Sequence, residues 1–411
     1  MLKLVEPSAK RKCRDGGGHP ALGNNYSVSA LKDFRPRWHH FAAGLLRWSG
    51  ALTVGQRLAR RHAISSSSNK FLPRVQVAEV PRILILCYHR IGIGGIPFYS
   101  ELSTQLFEAQ MRFLRRNYQI LSLADACREL KSPTNNAPGV VVTFDDGYRD
   151  LFTEAMPILG RYRIPATVYL TVGSIESRQV AWYDRVFLGL KHAHGSRLEC
   201  DLGGARPKRF ELKDAGERFR AAVEIISTLR SMPNERRCGL LADLEKQFQL
   251  PPAELADRML TWEQIRSMRD EGVSFGCHTM THPAASRLSM SGLQEELVQA
   301  KILMEKRIGR AVMDFSYPFG KPEDCGTQPR SILTQAGYRS AVTTTSGVNV
   351  PGVDLYGLLR VSAGDERSLA MFAFQLNQHI LHAEAASNSG VSSSRHVAFR
   401  RSTHGSQEIV R

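Results

Sequence analysis

The sequence predicts an α/β fold with strands and helices alternating in the manner of a (β/α) barrel, on three observations. The run Val140-Val141-Val142-Thr143-Phe144 is apolar and mostly β-branched, then stops at Asp145-Asp146-Gly147; this is the pattern of a buried strand that delivers two acids to its tip. A second apolar segment, residues 273–276, runs into His278 and His282, and Pro283 disfavours helix at His282. Between and around these segments the pattern switches repeatedly from strand-like to helical, the rhythm of a parallel sheet. Strand tips are where such folds keep their chemistry.

Taken in order, Ile83-Leu84-Ile85-Leu86-Cys87 makes a buried first strand ending at Tyr88-His89-Arg90, and a Gly-rich loop over 92–97 follows. Ser103 is placed to cap a helix whose apolar residues Phe107, Met111 and Leu114 recur at helical spacing. Residues 122–130 read as a short helix. After the Asp-Asp tip, 151–162 reads as a helix and 166–172 as a strand. Residues 174–258 break the rhythm and carry two amphipathic patterns, 214–230 and 234–248, which predict a helical insertion. Thr261-Trp262-Glu263-Gln264 has capping-box spacing and restarts the alternation. There follow a strand to Gly276, a helix over 291–308, a strand over 312–316, a helix over 329–336, a strand over 340–343 and a last helix over 368–381.

Composition bounds the rest. The 411 residues, 42% of them hydrophobic, suffice for a large folded core and exclude a fibrous or wholly disordered chain. Of the net charge of +16, residues 1–80 hold +10, from 14 Lys+Arg against 4 Asp+Glu, which leaves the body mildly basic. That segment, with Gly16-Gly17-Gly18, Ser65-Ser66-Ser67-Ser68 and a weak helical pattern over 38–61, reads as a flexible basic extension. It is the part suited to weak contact with an envelope or membrane surface, with no nucleic acid expected. Residues 81–383 form the folded domain, and the Ser-rich stretch 384–411 reads as a disordered tail. Seven scattered cysteines without a Cys-x-x-Cys pair, no apolar run of membrane length, and Arg47 interrupting the one N-terminal apolar patch predict a reduced, cytoplasmic protein.

Two neighbouring carboxylates repel, so Asp145-Asp146 points either to a proton-shuttling acid or to a bound cation; read alone, Asp146-Gly147 is also an ordinary turn. Aspartate and histidine together are ordinary ligands of a zinc-type ion, and three protein ligands leave open positions for water and substrate. These segments resemble the NodB-type polysaccharide deacetylases: Thr143-Phe144-Asp145-Asp146-Gly147 is similar to their first motif, His278-Thr279-Met280-Thr281-His282-Pro283 to their second and Tyr317-Pro318-Phe319-Gly320 to their third. The resemblance covers about residues 82–380 and implies a distorted seven-stranded barrel. It further implies Asp145 as catalytic base, a divalent metal (zinc, with cobalt, nickel or manganese as alternatives) on Asp146, His278 and His282, and the Phe319 backbone amide on the oxyanion. Tyr317 and Pro318 of the third motif would contact substrate.

Two departures qualify it. The arginine that often opens the third motif and orients the base is missing, Ser316 standing two residues before Pro318. Arg360, in Leu358-Leu359-Arg360-Val361, is the candidate to reach in, toward base or substrate, although a lone arginine is ordinarily a surface or salt-bridged residue. The late motif that carries the family's acid histidine is also not evident: His379 and His382 lie on a helical pattern, which leaves His89, at the end of the first strand, as the better-placed acid. The expected function is metal-dependent removal of acetyl groups from an N-acetylated polysaccharide or chitooligosaccharide. The alternative is a catalytically impaired glycan-binding protein on the same fold.

Overall fold

A computed structural model describes residues 82–388 apart from 93–101, 135, 205, 249, 251–256 and 365–367, so the basic extension, nearly all of the Gly-rich loop and most of the tail lie outside the described residues. The strands are β1 (Ile83–Tyr88), β2 (Gln119–Ile120), β3 (Gly139–Phe144), β4 (Ala166–Leu170), β5 (Arg197–Cys200), β6 (Lys208–Glu211), β7 (Ser274–Cys277), β8 (Asp314–Ser316), β9 (Ser340–Val342) and β10 (Val361–Ser362). The helices are α1 (Thr104–Asn117), α2 (Leu123–Lys131), α3 (Met156–Tyr162), α4 (Val172–Ser177), α5 (Trp182–His192), α6 (Ala215–Arg230), α7 (Asn234–Phe248), α8 (Trp262–Asp270), α9 (Met290–Leu293), α10 (Ala300–Ile308), α11 (Pro322–Cys325), α12 (Pro329–Gln335) and α13 (Leu369–Asn388).

Seven parallel strands run in the order β10-β1-β3-β4-β7-β8-β9, and β2 pairs with the start of β3. Every residue of β1, β3 and β4 is buried, as expected where helices cover a parallel sheet and its strands read as continuous apolar runs. The seam between β9 and β10 is closed without a strand ladder. Leu358 donates to Ala341 O at 3.0 Å and accepts from Thr343 N at 2.8 Å, and Arg360 N donates to Thr345 O at 3.0 Å. Asn349 plugs the remaining gap, trading backbone bonds with Ile83 and accepting Leu359 N on its side chain at 2.9 Å. The result is the distorted seven-stranded barrel, and the motifs sit at its carboxyl-terminal rim. At β7 the approach is so close that a Cβ on Gly276 would meet the Tyr169 ring at 2.4 Å.

Local signals account for most boundaries. Ser103 caps α1 by accepting Leu106 N at 3.2 Å, and Thr261 with Gln264 forms the capping box of α8. The structure departs from expectation in four places. The strand predicted over 166–172 ends at Leu170, because Thr171 turns the chain into α4. The helices predicted over 151–162 and 291–308 each contain a π-helical turn, Leu151–Ala155 and Gln294–Gln299. The insertion is not purely helical: between α5 and α6 lies the antiparallel ribbon β5-β6. The last helix runs on to Asn388, past the point where the tail was expected to begin.

The insertion is no appendage. Leu188, Leu190, Ala222, Ile225 and Leu244 of α5, α6 and α7 belong to the same buried cluster as the barrel residues Val142, Leu170 and Phe315. Burying a side chain of this size is worth about 1.5–3 kcal/mol, so the contact between the two parts outweighs any single polar tie between them. No helix among the described residues is long and apolar enough to cross a membrane.

Candidate active site

At the tip of β3 the chain turns sharply. Asp145 N donates to Tyr88 O at 2.9 Å, and Asp146 adopts a left-handed backbone (φ 71°) that swings the two neighbouring carboxylates apart. Asp145 meets Arg360, which donates from Nη1 to Oδ1 at 2.8 Å and from Nη2 to Oδ2 at 2.7 Å, the bidentate geometry that guanidinium and carboxylate favour. Ser316 Oγ donates to the same Oδ2 at 3.3 Å, and Arg360 Nε donates to Thr343 O at 2.7 Å. Burial alone would raise the Asp145 proton affinity, but the Arg360 charge, His278, the Arg360 hydrogen bonds and His89 together outweigh it and hold the carboxyl well below the usual range. Asp145 therefore stays ionised.

Asp146 has the opposite surroundings. Its Oδ1 is buried without a hydrogen-bond partner, 3.6 Å from His278 Nε2 and 3.5 Å from His282 Nε2. Burial raises its proton affinity, partly offset by His89, His278 and a hydrogen bond from Tyr183. His278 Nδ1 bonds Ser316 O at 2.7 Å, which leaves Nε2 facing Asp146, the carbonyl–histidine pairing typical of metal ligands. Burial pushes the proton affinity of His282 well down, keeping its ring neutral and its lone pair available. The three ligand atoms lie within 4.8 Å of one another. An orphaned carboxylate oxygen facing two imidazole nitrogens fits a divalent cation with nitrogen and oxygen ligands.

The loop that carries the histidines is held from several sides. Thr279 (φ 67°) and His282 (φ 57°) both adopt left-handed backbones, at a cost on the order of 1–3 kcal/mol each. Opposing that strain, Val172 N and Gly173 N at the start of α4 donate to Thr279 O and Met280 O at 3.0 and 2.8 Å. Buried Glu296, in the second π turn, accepts Met280 N and Thr281 N at 2.8 Å each and Thr281 Oγ1 at 2.6 Å. From the insertion, Trp182 Nε1 donates to His282 O at 3.0 Å, and the Tyr183 ring packs edge-on against His282 at 4.8 Å.

After β8 the chain makes another strained turn. Gly320 N donates to Pro318 O at 2.6 Å across Phe319 (φ 59°), a three-residue γ-turn of the rare positive-φ kind. A Cβ on Gly320 would meet Thr344 N at 2.7 Å, so the turn tolerates no side chain there. The Phe319 ring lies 4.9 Å from that of His282, which brings this turn to the Asp146–His278–His282 cluster.

The structure thus draws Asp145, Asp146, His278, His282, Phe319 and His89 together, with Cys87, His89 and Asp145 forming a second close group. Other candidate residues are placed as follows. Tyr317 and Pro318 are buried, Tyr317 edge-on against Phe315 at 5.1 Å. Arg360 is 1% exposed and commits its fork to Asp145, so of the sequence alternatives it is the salt-bridged residue, buried within the barrel. His379, on α13, bonds Ser346 Oγ at 3.3 Å, consistent with its helical pattern. The residues that sequence reasoning missed are Glu296 and, in the insertion, Trp182, Tyr183 and Arg230. Their one signal was the run Trp182-Tyr183-Asp184, which opens a helix buried nearly all round.

Residues 132–341, just over half of the chain, match the family described as polysaccharide deacetylase. A Bacillus subtilis (strain 168) protein named as a polysaccharide deacetylase, YxkH, is 23% identical over 302 residues, spanning 72% of this chain and 77% of its own. Among solved structures, the Streptococcus pyogenes deacetylase PplD in complex with acetate is 20% identical, covering 72% of this chain and 97% of its own at a TM-score of 0.48. IcaB from Ammonifex degensii is 19% identical, covering 72% and 96% at a TM-score of 0.46. With three motifs gathered at one rim and the family match spanning all of them, the chain belongs to the polysaccharide deacetylase family.

Proposed function

We propose that the protein is a metal-dependent hydrolase that removes acetyl groups from an N-acetylated glycan, a polysaccharide or a chitooligosaccharide. The observation that carries this reading is the buried, unpartnered Asp146 Oδ1 facing the Nε2 atoms of His278 and His282, next to a carboxylate kept ionised by Arg360. Asp146, His278 and His282 would hold the ion, zinc being the best match for the donor set, which cobalt, nickel or manganese also suit. A bound divalent ion supplies Lewis-acid polarisation and a more acidic water.

The chain's own groups do the rest. Asp145, ionised and fixed in direction by Arg360, takes the proton of the attacking water. The Phe319 amide faces the charge that develops on the acetyl oxygen, where such a donor is worth about 3–4 kcal/mol. His89, grouped with Asp145 and Cys87, donates a proton to the departing amine. The alternative of an impaired glycan-binding protein drew on the missing motif arginine and the missing late histidine, and Arg360 beside Asp145 answers the first of these.

Acetate release is the test, measured across a panel of acetylated glycans with chelator, without it, and after zinc is restored. No release from any glycan by the zinc-loaded protein, or release that chelator leaves untouched, would overturn the reading. We also propose a reducing, cytoplasmic setting, supported by the six cysteines free among the described residues. Recovery of the native protein mainly in an extracytoplasmic fraction would contradict it.

A further inference from the structure

The insertion reaches the active centre at a point that the three motifs do not supply. Arg230, at the end of α6, places its guanidinium carbon 4.6 Å from the centre of the Phe319 ring. The same guanidinium forks onto Asp324 of α11, Nε donating to Oδ1 at 2.8 Å and Nη2 to Oδ2. Asp324 is 4% exposed, and its Oδ2 also accepts Lys321 N at 3.1 Å. Arg230 therefore holds both ends of the turn: the ring of Phe319 and, through Asp324, the backbone of the residue that follows Gly320. Trp182 and Tyr183 of α5 complete the enclosure, their rings 6.1 and 6.4 Å from that of Phe319.

The turn needs such support. A non-glycine residue at φ 59° in a γ-turn persists only where its surroundings over-determine it, and Phe319 lies three residues past the end of β8. From the barrel side the hydrogen bonds reach only its carbonyl and Gly320: Thr344 Oγ1 donates to Phe319 O at 2.5 Å, and Thr344 N to Gly320 O at 2.9 Å. The ring is gripped by the insertion and by His282. A cation over an aromatic face is directional, so the stack fixes the orientation of the ring as well as its burial.

We propose that Arg230 is a positioning residue through which the helical insertion fixes the Phe319 amide, so that this one contact sets turnover without contributing to metal binding. This rests on the proposed role of that amide toward the oxyanion. Arg230 is an isolated position in an otherwise amphipathic helix, and Asp324 is 94 residues away, so the tie exists only in the folded protein.

The test compares Arg230→Met, Arg230→Lys and Asp324→Asn in the full-length zinc-loaded protein, by kcat and KM for acetate release, zinc affinity, and the amide signal of Phe319 in protein labelled with 15N-phenylalanine, assigned by its loss in Phe319→Leu. Arg230→Met should lower kcat about tenfold, with KM and zinc affinity within about twofold of wild type, and should shift the Phe319 signal. Arg230→Lys keeps a cation over the ring and should recover part of kcat. Asp324→Asn should resemble Arg230→Met, and the double variant, which leaves no buried charge unpaired, should be no worse than either. A KM rise at unchanged kcat would make Arg230 a substrate contact, loss of zinc affinity would make it a support of the metal loop, and unchanged kcat with an unmoved Phe319 signal would leave it no role; each overturns the proposal. If the Phe319 signal moves in a protein that releases no acetate from any glycan, the clamp stands and the reading of the site falls.

Discussion

Asp145 and Asp146 are adjacent, chemically alike and equally buried at 2% exposure, yet their two sides of the site are built on opposite rules. On the Asp145 side every strong demand is met, by a bidentate arginine and a serine hydroxyl, and the carboxyl is held ionised. On the Asp146 side an oxygen is left without a partner, the proton affinity rises with burial, and the facing histidine is kept neutral. The left-handed backbone at Asp146 makes the difference possible, because it sends successive side chains into separate environments. A saturated carboxylate has a fixed charge and a fixed direction, whereas an unsaturated one leaves room for a cation.

The comparison breaks most directly by neutralising each acid in turn. Asp145→Asn should cut the rate roughly 100-fold or more while zinc remains bound, since the amide keeps the shape but cannot take the proton. Asp146→Asn should instead weaken zinc first, with activity partly restored at high zinc, because a ligand has been weakened and the base left intact. Equal loss of zinc in both, measured by titration against a competing chelator, would merge the two roles and send the search for a base to His89.

Arg360→Met tests the saturated side through stability. Leaving Asp145 buried and unpaired should cost about 3–5 kcal/mol, much of it recovered in the double variant with Asp145→Asn. The sign follows from the depressed proton affinity of Asp145: the pair's contribution is present above the unfolded carboxylate pKa of about 4 and is lost as pH falls below it. Denaturation midpoints across that range should therefore show a weaker acid loss in the double variant than in wild type.

The unsaturated side predicts a smaller effect at milder pH. His282 is held neutral in the fold, so below the unfolded histidine pKa of about 6.5 only the unfolded chain takes up the proton. The metal-free protein should lose stability as pH falls from 6.5, at a slope of up to about 1.4 kcal/mol per pH unit, and bound zinc should add stability without removing that slope. Apart from these, Asp184 is a buried acid that accepts the Tyr148 hydroxyl, and burial pushes it up to about 8. The fold there binds a proton that the unfolded chain releases near pH 4, so stability declines as pH rises from about 4 through about 8. Asp184→Asn should remove that decline and leave the protein at pH 8 no less stable than wild type; a marked loss at pH 8 would show that Asp184 acts as a charged group.

What was legible in the sequence follows the same division. Asp145-Asp146, His278 with His282, and Tyr317 to Gly320 stand out because each is a short string at the end of a strand, where local pattern and site coincide. Arg360 does not, because its partner lies 215 residues away and no local pattern marks which strand-edge arginine turns inward; its place also falls outside the stretch that matches the family. Trp182, Tyr183 and Arg230 read as ordinary helix residues, since a helical period reports that a face is buried and not what it is buried against. The π turns escaped for a related reason: one residue added within a helical run barely disturbs its apolar spacing. For Tyr317 and Pro318 the motif marks the turn, but not that the fold buries its first two side chains.

The seam of the barrel gives Asp145 a second office, as a latch. Leu358 and Arg360 span the arc between β9 and β10 with a handful of backbone bonds, so this arc is where the ring is most easily opened by local unfolding. Arg360 sits on that arc and has its guanidinium fastened across the barrel to Asp145. Ionising Asp145 therefore also locks the ring shut, and protonating it frees the arc; amide exchange at Leu358 and Arg360 should quicken in acid before the rest of the sheet responds.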